Sequence, residues 1–129
     1  MVHYPNSYKI GKEAETKCLG LIQEYFNKEI NQEPEAYSKY DYSCDKYTYE
    51  LKTRTNRYSA YPTTMITANK LTEGRILLFN FVDGLYFIEY DKDKFSHYKR
   101  QQFSRYGADW DMKEHVYIPI EDLTLIKQY

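Results

Sequence analysis

The residues of this chain best equipped for chemistry lie in the stretch YDYSCDKYTYELKTR, positions 40–54. Two strand-like runs, 39–44 and 47–53, flank the polar step Asp45-Lys46 and read as a hairpin. With those two residues as the loop, Cys44 faces Tyr47, Tyr42 faces Tyr49 and Asp41 faces Glu50. Directly opposed side chains share one face of a sheet, with Cβ atoms roughly 4.5–5.5 Å apart, so two carboxylates would meet. Lys52, two residues past Glu50, joins the same face. Like charges in opposition destabilise a sheet unless something holds them, and a divalent cation would do so. Hard cations such as Mg²⁺ or Mn²⁺ take carboxylate and carbonyl oxygens. The adjacent lysine could orient or deprotonate a water, or stabilise charge growing on a phosphate. The plain alternative is a solvated face on which Lys52 neutralises two acids. Acid-x-Lys triplets are common, and Glu15-Thr16-Lys17 and Asp111-Met112-Lys113 have the same form.

A further acid must come from another element. Residues 12–30 are the best helix in the chain, with Ala14, Cys18, Leu21, Ile22, Tyr25 and Phe26 recurring on one face of a 3.6-residue period. Asn31 and Pro34 are expected to end it. At about 100° per residue, Glu15 projects between Ile22 and Phe26, inside the apolar sector. A carboxylate facing a core needs a partner or a metal. Glu29 falls in the same arc, but near the helix end, where it can reach water.

The set formed by a helix glutamate, a cross-strand aspartate and Glu-x-Lys on a strand resembles the PD-(D/E)XK nuclease superfamily. Gly11-Lys-Glu-Ala-Glu15 is similar to the first-helix motif of its Holliday-junction resolvase-like and RecB-like members. Asp41 matches the aspartate of the second core strand, Glu50-Leu51-Lys52 matches the (D/E)XK element, and Thr53-Arg54 is also common there. Tyr40 stands where the motif often has proline. The resemblance implies a restriction-endonuclease-like fold covering residues 11 to about 90, with a mixed central sheet flanked by helices. It also implies Mg²⁺-dependent hydrolysis of DNA. Asp41, Glu50 and the Leu51 carbonyl would hold the metal, Lys52 would stand beside the attacking water, and Glu15 would complete the catalytic set. Lys70, with Asn69, lies where the family often places a further polar or basic helper. Some members of the superfamily are catalytically dead and serve only to bind.

Charge supports a polyanionic partner only locally. The net charge of −1 gives no global basic field. Residues 52–75, however, hold Lys52, Arg54, Arg57, Lys70 and Arg75 against Glu73 alone. Residues 92–105 hold Lys92, Lys94, Lys99, Arg100 and Arg105 against Asp93. Arg54, Arg57 and Lys70 are candidate DNA contacts, and Tyr58, Tyr61 and Tyr106 beside Arg54, Arg57 and Arg105 could stack on bases or sugars, although packing is the commoner role for any one of them. No major-groove reading element is visible, so shape, branched DNA or single strands would be the target. A homodimer would extend so small a contact surface.

Other chemistries find less support. His3, His97 and His115 are scattered and lack zinc spacing. There is no phosphate-binding glycine loop and no nucleophile elbow. Asp109-Trp110-Asp111 reads as a loop with an anchoring indole rather than a site. Cys18 and Cys44 lack any CxxC spacing, which suits reduced thiols in the cytoplasm. No apolar run approaches the roughly 20 residues that span a bilayer. Sixteen tyrosines in a short chain would suit a phage or other mobile-element protein.

The remaining elements fill one α+β domain over residues 1–129. A second helix is expected from Pro62 to Glu73, with Met65, Ile66, Ala68 and Leu71 inward and Gly74 as its stop, although its threonines weaken it. Residues 75–82 and 85–90 are expected strands joined at Asp83-Gly84, the first of them apolar throughout as a central strand would be. Residues 95–113 are irregular or helical, 115–119 a short strand and 120–126 a closing helix. Two other functions stay open on these residues: a non-enzymatic binding module on the same fold, or an unrelated α+β domain with a solvated hairpin.

Overall fold

The computed structural model describes residues 6–33, 40–104, 107 and 109–129. His3, Pro34, Arg105 and Tyr106 lie outside them. Helix α1 runs Asn6–Phe26 and buries Ala14, Cys18 and Ile22, the apolar face expected from their spacing. It starts earlier than the apolar spacing indicates and stops at Phe26 rather than at 30. Asn27 adopts a left-handed φ of 52°, and the Lys28 N–H donates back to the Gln23 carbonyl at 3.3 Å. Asparagine tolerates that conformation, so the turn closes the helix ahead of the proline.

Strands β1 (Asn31–Gln32), β2 (Tyr42–Ser43) and β3 (Thr48–Thr53) follow as an antiparallel set. The β2–β3 register is the expected one, with Tyr42 opposite Tyr49, Ser43 opposite Thr48, and the Cys44 N–H on the Tyr47 carbonyl around Asp45-Lys46. The chain then leaves this sheet. The expected helix 62–73 is instead strand β4 (Thr63–Thr67) and a 3₁₀ turn, Ala68–Lys70. Thr64 and Ile66 are buried while their neighbours are half-buried, a two-residue alternation that β-branched side chains favour and a helix would scramble.

β5 (Arg75–Phe81) returns beside β3 and parallel to it, and is buried almost throughout, as expected of a central strand. β6 (Gly84–Glu89) pairs antiparallel with β5. Phe81 pairs with Gly84, so the loop is Val82-Asp83 rather than the Asp83-Gly84 step. Gly84 is needed for another reason: a Cβ there would lie 3.1 Å from both the Lys127 carbonyl and the Tyr86 ring. After the single-turn helix α2 (Lys92–Phe95) come β7 (Arg100–Phe103), a 3₁₀ turn at Asp109–Asp111, and β8 (Lys113–Pro119). The expected closing helix 120–126 is a 3₁₀ turn, Ile120–Asp122, followed by strand β9 (Thr124–Gln128).

The result is an α+β fold in three layers. A six-stranded mixed sheet, β1-β2-β3-β5-β6-β9, stands between α1 and a three-stranded antiparallel sheet, β4-β8-β7. One core, with Cys18, Ile22, Tyr42, Tyr49, Leu51 and Leu78, lies under α1. The other, with Ile66, Leu77, Phe79, Phe95, Val116 and Ile118, lies between the sheets. The central sheet is therefore covered by a helix on one face and mainly by strands on the other, not by helices on both. Among the described residues no helix is long and apolar enough to cross a membrane.

Candidate functional site

Alternation along β3 sends Tyr49 and Leu51 under α1, and Glu50 and Lys52 to the opposite face. Glu50 is only 4% exposed. A carboxylate in that position must be paired, and two ammonium groups reach the same oxygen. Lys52 Nζ lies 3.3 Å and Lys70 Nζ 3.4 Å from Glu50 Oε1. Lys52 is the neighbour expected from its i+2 spacing. Lys70 arrives from the 3₁₀ turn after β4 rather than from a helix.

Asp41 departs from the hairpin arithmetic. The ladder stops at Tyr42–Tyr49, and the Asp41 N–H donates to the Tyr49 carbonyl at 2.8 Å, one place off register. Its carboxylate therefore does not stand opposite Glu50. It turns along the sheet edge, where Oδ2 accepts the Leu51 N–H at 2.7 Å. The even-numbered residues Thr48 and Arg54 donate their N–H groups to the Gly74 and Asn80 carbonyls, on the β5 side. The N–H and C=O of Leu51 accordingly point to the β2 side, beyond the last ladder pair. The Leu51 carbonyl and the Asp41 carboxylate share that edge.

Glu15 meets Asp41 from the helix side. It is 8% exposed, as its place in the apolar sector requires, and its Oε2 takes the Lys12 ammonium at 3.0 Å and the Gln32 amide at 3.5 Å. Buried Tyr42 fixes this turn of α1 by donating its hydroxyl to the Glu15 carbonyl oxygen. Burial, then a hydrogen bond with the Glu15 carboxyl, push Asp41 up to about 6, against the opposing effect of the Leu51 N–H. The charge of Glu15 adds to the rise and that of Lys52 reduces it. Lys52 thus acts on both halves of the site, on Glu50 by direct contact and on Asp41 through its field.

Among the described residues no three His, Cys, Asp or Glu side chains are grouped to hold a metal ion. The donors that the sequence points to are two carboxylates and one backbone carbonyl, an all-oxygen set that suits Mg²⁺ or Mn²⁺ when water fills the rest of the shell. In donor chemistry the residues fit such an ion.

The basic residues divide. Arg54 is spent internally: its guanidinium bonds Thr64 Oγ1 and the Met65 carbonyl and lies over the Phe79 ring, tying β3 to β4. It is part of the wall between these strands. Arg57 and Tyr61 are exposed. Tyr58 stacks on Tyr86 at 4.2 Å and is a packing residue. Trp110 is 77% exposed, so the indole does not anchor its turn in a core, whereas Asp111 is buried. The contacts of Lys12, Gln32 and Arg75 at this site were not read from the sequence. Lys12 carried a signal, three residues ahead of Glu15 on a helix, whereas Gln32 and Arg75 reach the site only through the tertiary fold. The chain matches no family model, no curated protein and no solved structure.

Proposed function

We propose that this protein is a metal-dependent deoxyribonuclease that hydrolyses phosphodiester bonds. The observation that carries the reading is the buried Glu50 held by Lys52 and Lys70 on a strand whose next backbone unit, Leu51, is bonded by Asp41. It is supported by the order helix, three antiparallel strands, crossover, parallel strand, which builds a mixed central sheet such as the resemblance to PD-(D/E)XK nucleases implies, with a strand and a 3₁₀ turn where a second helix was expected.

Asp41, Glu50 and the Leu51 carbonyl would hold Mg²⁺ or Mn²⁺, which supplies Lewis-acid polarisation of the scissile phosphate. Two ammonium groups face the Glu50 carboxylate. Lys52, about a third exposed, can turn toward a phosphate oxygen or hold a water for attack, and it brings positive charge where the transition state gains negative charge. Lys70, equally accessible, supplies a second cation for the polyanion, and Arg57 a third beyond the site. Glu15 holds Asp41 from the helix side. DNA is the proposed partner, branched or single-stranded, and a homodimer would widen its contact surface. Two free cysteines suit a cytoplasmic location.

One observation favours a second reading. The polar demand of Glu50 is already met by lysines, and that of Asp41 by Leu51 and Glu15, so the fold has no need of a metal. A catalytically inactive module that binds nucleic acid or a protein would keep this arrangement. The two separate on linear, branched and single-stranded DNA incubated with Mg²⁺ or Mn²⁺ against chelator, beside Asp41→Asn and Lys52→Ala. Cleavage that needs the metal and is lost in both folded variants supports the nuclease. Metal-independent binding without cleavage supports the module.

A further inference from the structure

We infer that Arg75 is a positioning residue that sets Lys70 on Glu50. Arg75 opens β5 and is 7% exposed. Its guanidinium forks: Nε donates to Thr48 Oγ1 at 2.8 Å, and an Nη donates to the Lys70 carbonyl at 3.1 Å. Both acceptors are neutral, and among the described residues no carboxylate forms a salt bridge with this arginine. A buried cation without a counter-ion is costly, and an apolar side chain would fill a core position more cheaply. What the arginine adds is a fixed distance. Thr48 lies two residues before Glu50 on the same face of β3, and Lys70 is the last residue of the 3₁₀ turn. One planar group therefore holds the strand that carries the carboxylate and the turn that carries the ammonium. Lysine could not make this fork in the same way, because all its N–H bonds leave one nitrogen, whereas the guanidinium donates from two nitrogens fixed in one plane. Gly74, at φ 75°, makes the turn that brings the arginine to this place.

The inference deepens the nuclease reading and rests on it only for the consequence in catalysis; the geometry is testable without cleavage. The experiment is a double-mutant cycle between Arg75 or Thr48 and Lys70, read by the thermal midpoint in chelator and by DNA cleavage with Mg²⁺. Lys70→Ala lowers the midpoint by several degrees in the wild-type background. In the Arg75→Ala or Thr48→Val background it lowers it by less than half as much, because the ammonium is no longer held. Arg75→Lys behaves like Arg75→Ala. Thr48→Val is close to isosteric and decides the matter if Arg75→Ala does not fold. In cleavage, Arg75→Ala lowers kcat with little change in KM, and adds nothing once Lys70 is gone. Additive midpoints, or a Lys70→Ala variant as stable as the wild type, overturn the positioning role. A wild type that never cleaves sinks the nuclease reading instead, and the midpoints still decide on Arg75.

Discussion

Lys70 Nζ lies 3.4 Å from Glu50 Oε1, although the residues belong to different sheets' strands and connections. Glu50 stands on the central sheet, whereas Lys70 ends the turn that follows β4 of the smaller one. The contact ties the two sheets together at the candidate site. Replacing Lys70 by Met destabilises the metal-free protein by about 1–2 kcal/mol, less than a fully buried pair because the lysine is partly exposed and Lys52 remains. Urea unfolding of the two proteins in chelator measures it, and equal midpoints contradict the clamp.

Asp41 makes the metal-free protein sensitive to pH. Its carboxyl, pushed up to about 6, would titrate near 3.9 in the unfolded chain. Between about pH 4 and pH 6 the folded protein therefore binds more protons than the unfolded one, so this stabilising contribution is complete below that window and is lost as pH rises through it. The slope is at most about 1.4 kcal/mol per pH unit. Asp41→Asn removes this contribution. Denaturation at a series of pH values checks it, and a slope unchanged in the variant shows that another group is responsible.

Divalent metal is expected to stabilise the protein through the same carboxylates. Mg²⁺ at ten times its dissociation constant adds about 1.4 kcal/mol. The gain is lost in Asp41→Asn and in Glu50→Gln. Calorimetric midpoints with and without Mg²⁺ test this, and a gain that survives in both variants places the ion elsewhere.

The two cysteines differ in burial and are expected to differ in reactivity. Cys18 is 2% exposed under α1, and burial raises its thiol pKa, so little thiolate forms near neutrality. Cys44 is half-buried beside the hairpin loop. Iodoacetamide at pH 8 labels Cys44 first and reaches Cys18 only on unfolding. Mass spectrometry of the time course shows the order, and equal rates would mean that α1 does not cover Cys18.

Much of the site's surroundings could be read from local pattern. Glu15 was legible because helical spacing alone puts it among apolar neighbours, and Glu50 with Lys52 because a strand alternates. The hairpin register followed from its two-residue turn as far as Tyr42. Asp41 could not be placed this way, since its carboxylate satisfies the Leu51 N–H that β2 is too short to pair. Residues 62–73 carry helix punctuation, a proline in the first turn and Gly74 beyond, yet pairing with β8 decides their state. Thr124–Gln128 likewise becomes a strand because β6 offers it an edge. Lys70 and Arg75 join the site only through this crossover.

The pairing of β4 has a consequence for when the protein becomes competent. Among the described residues β4 pairs with β8 alone, and β8 lies well downstream, at Lys113–Pro119. A ladder between segments so distant in sequence closes a long loop and forms late in folding. The turn bearing Lys70 is therefore secured only after the segment Lys113–Pro119 has been synthesised. Until then Glu50 and Lys52 exist without Lys70, so a nascent chain would carry this carboxylate in an unfinished setting.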